Sequence, residues 1–383
     1  MTAEDTPAET LFLISSSPAP CGVEAFARAV AGAWPRIGGK ARMLAVSGGP
    51  RDLAAIWRAL GACDAIAINV PVVAWKKALL TPLAALISAR LRGRGSALVL
   101  HEWADLDWRR RLVVGAYALV AQALVFSSPH VRAGFLASRA MRLAGKPTVI
   151  APIPSNIPPV APSAAPRFAA RLREAKAQGG IIIGHFGAIY PKKQSGFVLD
   201  VAEAAMRAGC PAFCLFIGGF VKGADRVEDE FYAKARRLGV EERMLVTGYI
   251  DDFAELNALF GEVDCFLYRF PEGLTSRRGS VLACLQSGRP VIVNAPRETD
   301  EFDHHRIYRR AFADGSLRLV DSGADAAAYV RALASIDAGG VATRPASGAY
   351  VDSWRDAAAA VAGALRRSGS RVSARSSRAS IRG

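Results

Sequence analysis

The stretch that decides the fold runs from Asp264 to Asn294 and reads DCFLYRFPEGLTSRRGSVLACLQSGRPVIVN. Its opening apolar run, Cys265-Phe266-Leu267-Tyr268, predicts a buried strand. A turn-rich loop follows from Phe270 to Gly279. Ser280 to Leu285 has helical spacing and stops at Gly288, and Arg289-Pro290 leads into a second apolar strand, Val291-Ile292-Val293. Strand, loop, helix, strand is a βαβ unit of a parallel sheet. Ligands of such sheets sit beyond the carboxyl ends of the strands, where loops enter helices. This loop carries Glu272, Thr275, Ser276, Arg277, Arg278, Gly279 and Ser280. Two guanidiniums, small hydroxyls and a glycine at a helix N-terminus suit an anion, most naturally a diphosphate. The same letters also fit a solvated arginine pair and an ordinary cap at Ser280.

Upstream the alternation continues. Gly179-Gly180 opens a strand, Ile181 to Ile183, followed by Gly184-His185-Phe186-Gly187 and the loop Ala188 to Gln194. Helices are expected over 197–208, 227–238 and 252–260, with strands at Ala212–Ile217 and Met244–Val246. Downstream lie Glu298 to Arg310 with two histidines, a strand Leu317–Val320, and two closing helices over 324–336 and 353–365. The N-terminal half repeats the pattern, with strands at Leu11–Ile14, Arg42–Val46, Ala65–Val70, Ala97–Leu100 and Leu124–Phe126. The first strand runs into a small-residue loop containing Gly22, which lets a ligand approach the backbone or simply joins strand to helix. The strand at Ala97–Leu100 ends in His101-Glu102-Trp103, where acceptor-side chemistry would fall, although a lone His is more often satisfied by a neighbouring backbone group. The helix from Trp75 to about Arg92 fits packing on a sheet better than a membrane interface, and Arg109-Arg110-Arg111 fits either membrane phosphates or a solvated helix start.

The fold class is therefore α/β, with two Rossmann-like doubly wound parallel-sheet domains. The expected domains are 1–150, a proline-rich connection over 151–178, a second domain over 179–352, a closing helix over 353–365 and a basic tail over 366–383. A chain of 383 residues suits two domains at roughly 150 residues each. Six scattered cysteines without a CxxC pair, apart from the five histidines, suggest neither disulfides nor a metal site. The net charge is +15, and six arginines in the last eighteen residues leave the rest at +9. The tail has almost nothing to bury, so it is expected to be disordered. Such a balance favours anionic partners, and without an RNP, zinc-finger or helix-turn-helix pattern nucleic acid ranks low. The polar N-terminus is not a signal peptide, and no apolar run reaches the roughly 18–20 residues of a spanning helix.

The motifs HFGAIYPKK, LFIGG, VTGYI, DFAELNALF, DCFLYRFPEG and LACLQSGRPVI, in this order, resemble GT-B glycosyltransferases of the family-4 type. The resemblance covers about Gly180 to Asn294 and extends weakly to PAPCGVEAF, LHEW and LVFSS. It implies two domains facing a cleft, a nucleotide-diphospho-sugar donor held mainly by the C-terminal domain, and an acceptor on the N-terminal side. It further implies transfer with retention of configuration, no metal and no other cofactor. The family's phosphate-gripping Arg falls on Ala188, and its companion Lys on Lys193. Anchored on QSGRPVI, the family's two glutamates fall on Thr275 and Ala283, with Glu272 three residues early. The loop reads TSRRGS instead, similar to a bacterial subgroup with an RRG sequence here.

On that resemblance the catalytic set is His101, Glu272 and Lys193, with Glu272 on donor-sugar hydroxyls. The donor diphosphate falls to Gly22, Gly187, Lys193, Arg277, Arg278, Gly279 and Ser280, and the acceptor side to His101 and Glu102. The expected function is a retaining glycosyltransferase acting on a cell-surface polysaccharide or lipid-linked oligosaccharide. The expected location is the cytoplasmic face of a bacterial inner membrane, against an anionic membrane surface. The alternative is a non-catalytic scaffold of the same fold that binds nucleotide-sugar or glycan. A nucleotide-sugar epimerase, which would use Glu102 or Glu272 as base, ranks below both.

Overall fold

A computed structural model describes residues 8–16, 21–72, 75, 80–104, 106–138, 142, 145–164, 166–190, 193–221, 226–336 and 352–367. The chain divides into two units, Met1–Ile153 together with Asp352–Gly383, and Pro154–Val351. The basic tail beyond residue 367 lies outside the described residues, as does the loop over 17–20.

In the first unit the strands are β1 (Glu9–Ser15), β2 (Lys40–Val46), β3 (Ala65–Val70), β4 (Gly95–Leu100), β5 (Ala123–Phe126) and β6 (Thr148–Ile150). They form one parallel sheet in the order β2-β1-β3-β4-β5-β6. The helices are α1 (Gly22–Ala33), α2 (Arg51–Ala62), α3 (Leu80–Leu91), α4 (Trp108–Val120) and α5 (Pro129–Leu136). Right-handed crossovers place α1 on one face and α2 to α5 on the other. In keeping with this, α2 packs on α3 and α3 on α4. The helix over 352–367 joins this unit, its Trp354 ring 5.8 Å from that of Phe26 on α1. The sequence reading has no helix between 126 and 148, yet α5 has a readable start: Ser128 Oγ accepts from Val131 N at 3.2 Å, and Pro129 takes the first helical position. The helix expected from Trp75 begins at Leu80, with 76–79 outside the described residues.

In the second unit the strands are β7 (Ile181–Phe186), β8 (Ala212–Ile217), β9 (Met244–Val246), β10 (Cys265–Tyr268), β11 (Val291–Asn294) and β12 (Leu317–Val320). They too are parallel, in the order β12-β11-β10-β7-β8-β9. The helices are α6 (Ala169–Ala177), α7 (Phe197–Arg207), α8 (Val227–Arg237), α9 (Phe253–Glu262), α10 (Gly279–Gln286), α11 (Arg306–Ala313) and α12 (Ala326–Ala334). Both faces of the sheet are covered. Phe213, Leu215 and Ile217 of β8 enter one core, while Ala212, Cys214 and Phe216 enter the other. This period-2 division of an unbroken apolar run is what a central parallel strand requires. The proline-rich stretch packs within this unit: Ser163 N donates to Ala254 O at 3.0 Å, and Asn257 Nδ2 to Pro158 O at 3.1 Å. Among the described residues, no helix is long and apolar enough to cross a membrane.

One glycine fixes the loop that follows β10. Gly273 has φ +78°, and a Cβ there would stand 2.2 Å from the backbone oxygen of Ala295. Gly273→Ala is expected to lower unfolding free energy by about 2 kcal/mol or more. Gly261→Ala, on the exposed end of α9 with open space around it, should be neutral or gain about 0.5–1 kcal/mol. Urea denaturation of the two variants checks this, and equal stability would contradict it.

Candidate functional site

The second sheet reverses direction between β7 and β10. From β7 the chain winds outward through β8 and β9, and from β10 through β11 and β12. The loops leaving the carboxyl ends of these two neighbours therefore part and open a crevice, the place where doubly wound sheets hold ligands. The loop after β7 contains Gly187 and Lys193; the loop after β10 contains Glu272 to Arg278.

Tyr268 ties the two strand ends together. Its hydroxyl donates to Phe186 O at 2.9 Å and accepts from Phe186 N at 3.2 Å, and it lies 3.3 Å from Cys284 Sγ on α10. His185 anchors the first loop from beneath. Its Nδ1–H donates to Leu267 O at 3.0 Å, which leaves Nε2 to accept from Ser195 Oγ–H, also at 3.0 Å. Burial pulls the imidazole down to about 4, so it is neutral at physiological pH and the tautomer is fixed. The loop is also pinned by Gly187 N on Ile217 O and Ile189 N on Gly219 O, both 2.9 Å.

Lys193 is thereby turned back over the strand end. A Cβ on Gly187, whose φ is +120°, would fall 2.6 Å from Lys193 Nζ and 3.8 Å from Ser280 Cβ. Only glycine leaves room for the ammonium between the end of β7 and the first turn of α10. Burial, with the Arg278 charge as the second cause, pulls the Lys193 amine down to about 8. Two cations thus share the N-terminal end of α10, whose amides of Gly279 and Ser280 add partial positive charge. Arg278 itself lies over the Phe270 ring, 4.2 Å from its centroid, and its Nη2 pairs with Glu272 Oε1. Arg277 and Ser280 are half-buried beside it.

The structure thus brings Gly187, Lys193, Arg278, Gly279 and Ser280 together. It engages Glu272 as the partner of Arg278. Ala188 is exposed on the crevice loop, whereas Thr275 and Ala283 are buried, Ala283 within the apolar core. Ala283 supplies no carboxylate to a ligand.

Sequence reasoning missed the groups that hold the second loop. Glu301 is 1 % exposed and accepts from Ser276 N and Ser276 Oγ, both at 2.7 Å. Asn294, at the end of β11, accepts from Phe270 N at 2.9 Å and donates to Phe270 O at 2.7 Å. These partners are 24 or 25 residues apart, so no local pattern points to them.

In the first unit His101 is buried at the carboxyl end of β4. Its Nε2–H donates to Asn69 Oδ1 on β3 at 3.0 Å, and its ring meets Phe26 edge-on, centroids 4.9 Å apart. Phe26 stands one helical turn beyond Gly22, the first residue of α1, so His101 and Gly22 share one corner of this unit. Among the described residues, a Cβ on Gly22 would meet nothing within 4 Å. Glu102 follows, half-buried.

No protein-family model and no curated protein matches the chain. Solved structures do. Anabaena HepE in complex with UDP superposes with a TM-score of 0.58 at 16 % identity, covering 96 % of this chain and 99 % of that one. Sucrose-phosphate synthase from Thermosynechococcus elongatus gives 0.54 at 17 %, with coverages of 97 % and 100 %. The lipopolysaccharide outer core galactosyltransferase WaaB gives 0.53 at 13 %, with 96 % and 99 %. At these identities the likeness establishes architecture: the chain has the two-domain GT-B fold, two six-stranded parallel sheets each flanked by helices.

Neutral His185 makes the second unit acid-sensitive. The unfolded ring binds a proton near 6.5 and the folded ring only near 4, so the unfolded state is the one that gains protons as pH falls. Acidification from pH 7 to 5 should remove about 2 kcal/mol through this ring. His185→Asn, which keeps a donor for Leu267 O, should start less stable but lose less. Denaturation of both chains at the two pH values tests this, and equal acid sensitivity would contradict it.

Proposed function

We propose that this chain is a retaining glycosyltransferase that takes a sugar from a nucleotide-diphospho-sugar. The observation that carries the reading is the pair of cations, Lys193 and Arg278, held at the first turn of α10 beside Gly187. Glu272 offsets only one of these two like charges, so a further anion that joins both would lower the cost of holding them together under partial burial. A diphosphate supplies that anion and matches the place, a strand end at the turning point of a doubly wound sheet. UDP is the nucleotide favoured, because HepE, of the same fold, was crystallised with UDP and with UDP-glucose.

In this reading the bond from the sugar's anomeric carbon to the diphosphate breaks as negative charge builds on the leaving oxygens. Lys193, Arg278, Arg277 and the amide of Ser280 face that charge, each preorganised donor contributing on the order of 3 kcal/mol to lowering the barrier. The chain's own cations do the neutralising, so no metal is required and turnover should persist in a chelator. Glu272, by pairing with Arg278, orients the guanidinium and can share it with a donor-sugar hydroxyl. His101 and Glu102 serve the acceptor, and Gly22 the approach of the N-terminal loop to the donor. The acceptor class we infer is a cell-surface polysaccharide or a lipid-linked oligosaccharide, met at the cytoplasmic face of the inner membrane. The family-4 type with an RRG loop remains the closest description of the Thr275–Ser280 segment.

A non-catalytic sugar-nucleotide scaffold is favoured by one observation, the buried alanine where the family has a ribose-binding glutamate. Formation of UDP together with glycosylated acceptor from UDP-glucose separates the two readings.

UDP should raise the melting temperature more than GDP, ADP or TDP, and Arg278→Ala should lose most of that gain. If none of the four stabilises the wild type, the donor reading fails. The pH dependence has a definite sign: binding a diphosphate favours the protonated amine, so UDP affinity should fall above pH 8 by up to about tenfold per pH unit. Lys193→Met should bind more weakly and show no such fall. A wild-type affinity that stays level from pH 7.5 to 9.5 would remove Lys193 from the site.

A further inference from the structure

The helix layer of the first unit carries an exposed surface that the donor site does not use. On α3, LTPLAALISARL, apolar residues lie on every side. A helix of that kind belongs inside a core, yet Leu80 is 77 % and Leu91 is 74 % exposed. On the neighbouring α4, Trp108 and Leu112 are each 66 % exposed, and Leu119 extends the row toward the far end. Leu53 and Trp57 on α2 widen the patch. Of fourteen exposed large apolar side chains among the described residues, eight belong to these three helices, a concentration that marks an interaction face.

The charge on this face is predominantly positive. Neither α3 nor α4 contains an acid, while α4 opens with Arg109-Arg110-Arg111 and α3 runs into Arg90, Arg92 and Arg94. Asp52 on α2 accepts from the amides of Gly48 and Gly49, at 2.6 and 3.0 Å, while Asp107 pairs with Arg110 at 3.2 Å and Asp64 with Arg94 at 3.8 Å, which leaves the remaining arginines in excess. Both tryptophans sit beside guanidiniums: Arg92 lies 4.0 Å from the Trp57 ring centroid and Arg109 5.3 Å from that of Trp108. Indoles and leucines that enter the acyl boundary, with arginines reaching headgroup phosphates around them, are what an interfacial face needs.

We infer that the outer face of α2, α3 and α4 docks on an anionic lipid bilayer. This rests on the proposed function, whose acceptor is met at a membrane, and it names the surface that brings the enzyme there. A second copy would set arginines against arginines. The C-terminal tail is itself basic, without an acid. An acidic protein would match the arginines but leave the leucine rows of α3 and α4 unexplained. Leu80 and Trp108 begin their helices and so lie toward the sheet edge that bears His101 and Gly22. Docking would therefore hold that corner near the headgroups.

Sedimentation of the full chain with vesicles tests the proposal. Vesicles of equal parts phosphatidylglycerol and phosphatidylcholine should carry the wild type down, and phosphatidylcholine alone should not. Trp108→Ser combined with Leu112→Ser should weaken partition about tenfold or more. Arg90→Gln combined with Arg109→Gln should weaken it at low salt and little at high salt. Both variants should keep the wild-type melting temperature and UDP response. The proposal is overturned if the wild type stays in solution or if the variants sediment like it. It is also overturned if binding is lost instead on changing Arg371, Arg375, Arg378 and Arg382 of the tail to Gln. Lost vesicle binding with an intact UDP response overturns the surface alone. Vesicle binding as expected with no UDP response overturns the donor reading and leaves the surface standing.

Discussion

Two positive side chains held close together at the start of α10 are the constraint around which the second unit is arranged. Burial, with the repulsion of the neighbouring guanidinium as the second cause, pulls the Lys193 amine down to about 8. A fold tolerates such a pair where it is useful and where the surrounding structure prevents its escape. Here the restraint comes from several sides. Gly187 gives Lys193 its space, His185 and Ser195 fix the loop that carries it, and Phe270 and Glu272 hold the guanidinium of Arg278.

These restraints share one origin, the reversal of strand order between β7 and β10. Tyr268 joins the two strand ends through both polar groups of Phe186. Asn294 and Glu301 then set the path of the second loop, and Gly273 allows the chain to pass against Ala295. None of these groups needs to touch a ligand. Their effect is to keep the cations in place.

Much of the fold was legible because its signals are local. The strands Ala212–Ile217 and Cys265–Tyr268 are unbroken apolar runs bounded by turn residues, and the structure keeps those limits. The loop TSRRGS could be read as an anion site because its donors are adjacent in the chain. By contrast, Glu272 offered no sign that Arg278 would take it, since the pairing depends on how the loop folds back. Glu301 and Asn294 were invisible for a related reason: their partners lie in another βα connection, and neither composition nor periodicity encodes that meeting. The surface of α3 and α4 was visible only as apolar residues with flanking bases, a pattern that a helix packed on a sheet shares. In the structure α3 packs in the core through Ala85, Leu86 and Ala89, while Leu80 and Leu91 are left exposed.

If Lys193 and Arg278 form a diphosphate site, the lysine is partly neutral until the ligand binds. Calorimetric titration of UDP at pH 8.5, in buffers of different ionisation enthalpy, measures the protons taken up on binding. The account predicts an uptake of roughly half a proton or more by the wild type and none by Lys193→Met. Binding of UDP with no proton uptake, or with the same uptake in both chains, would contradict it.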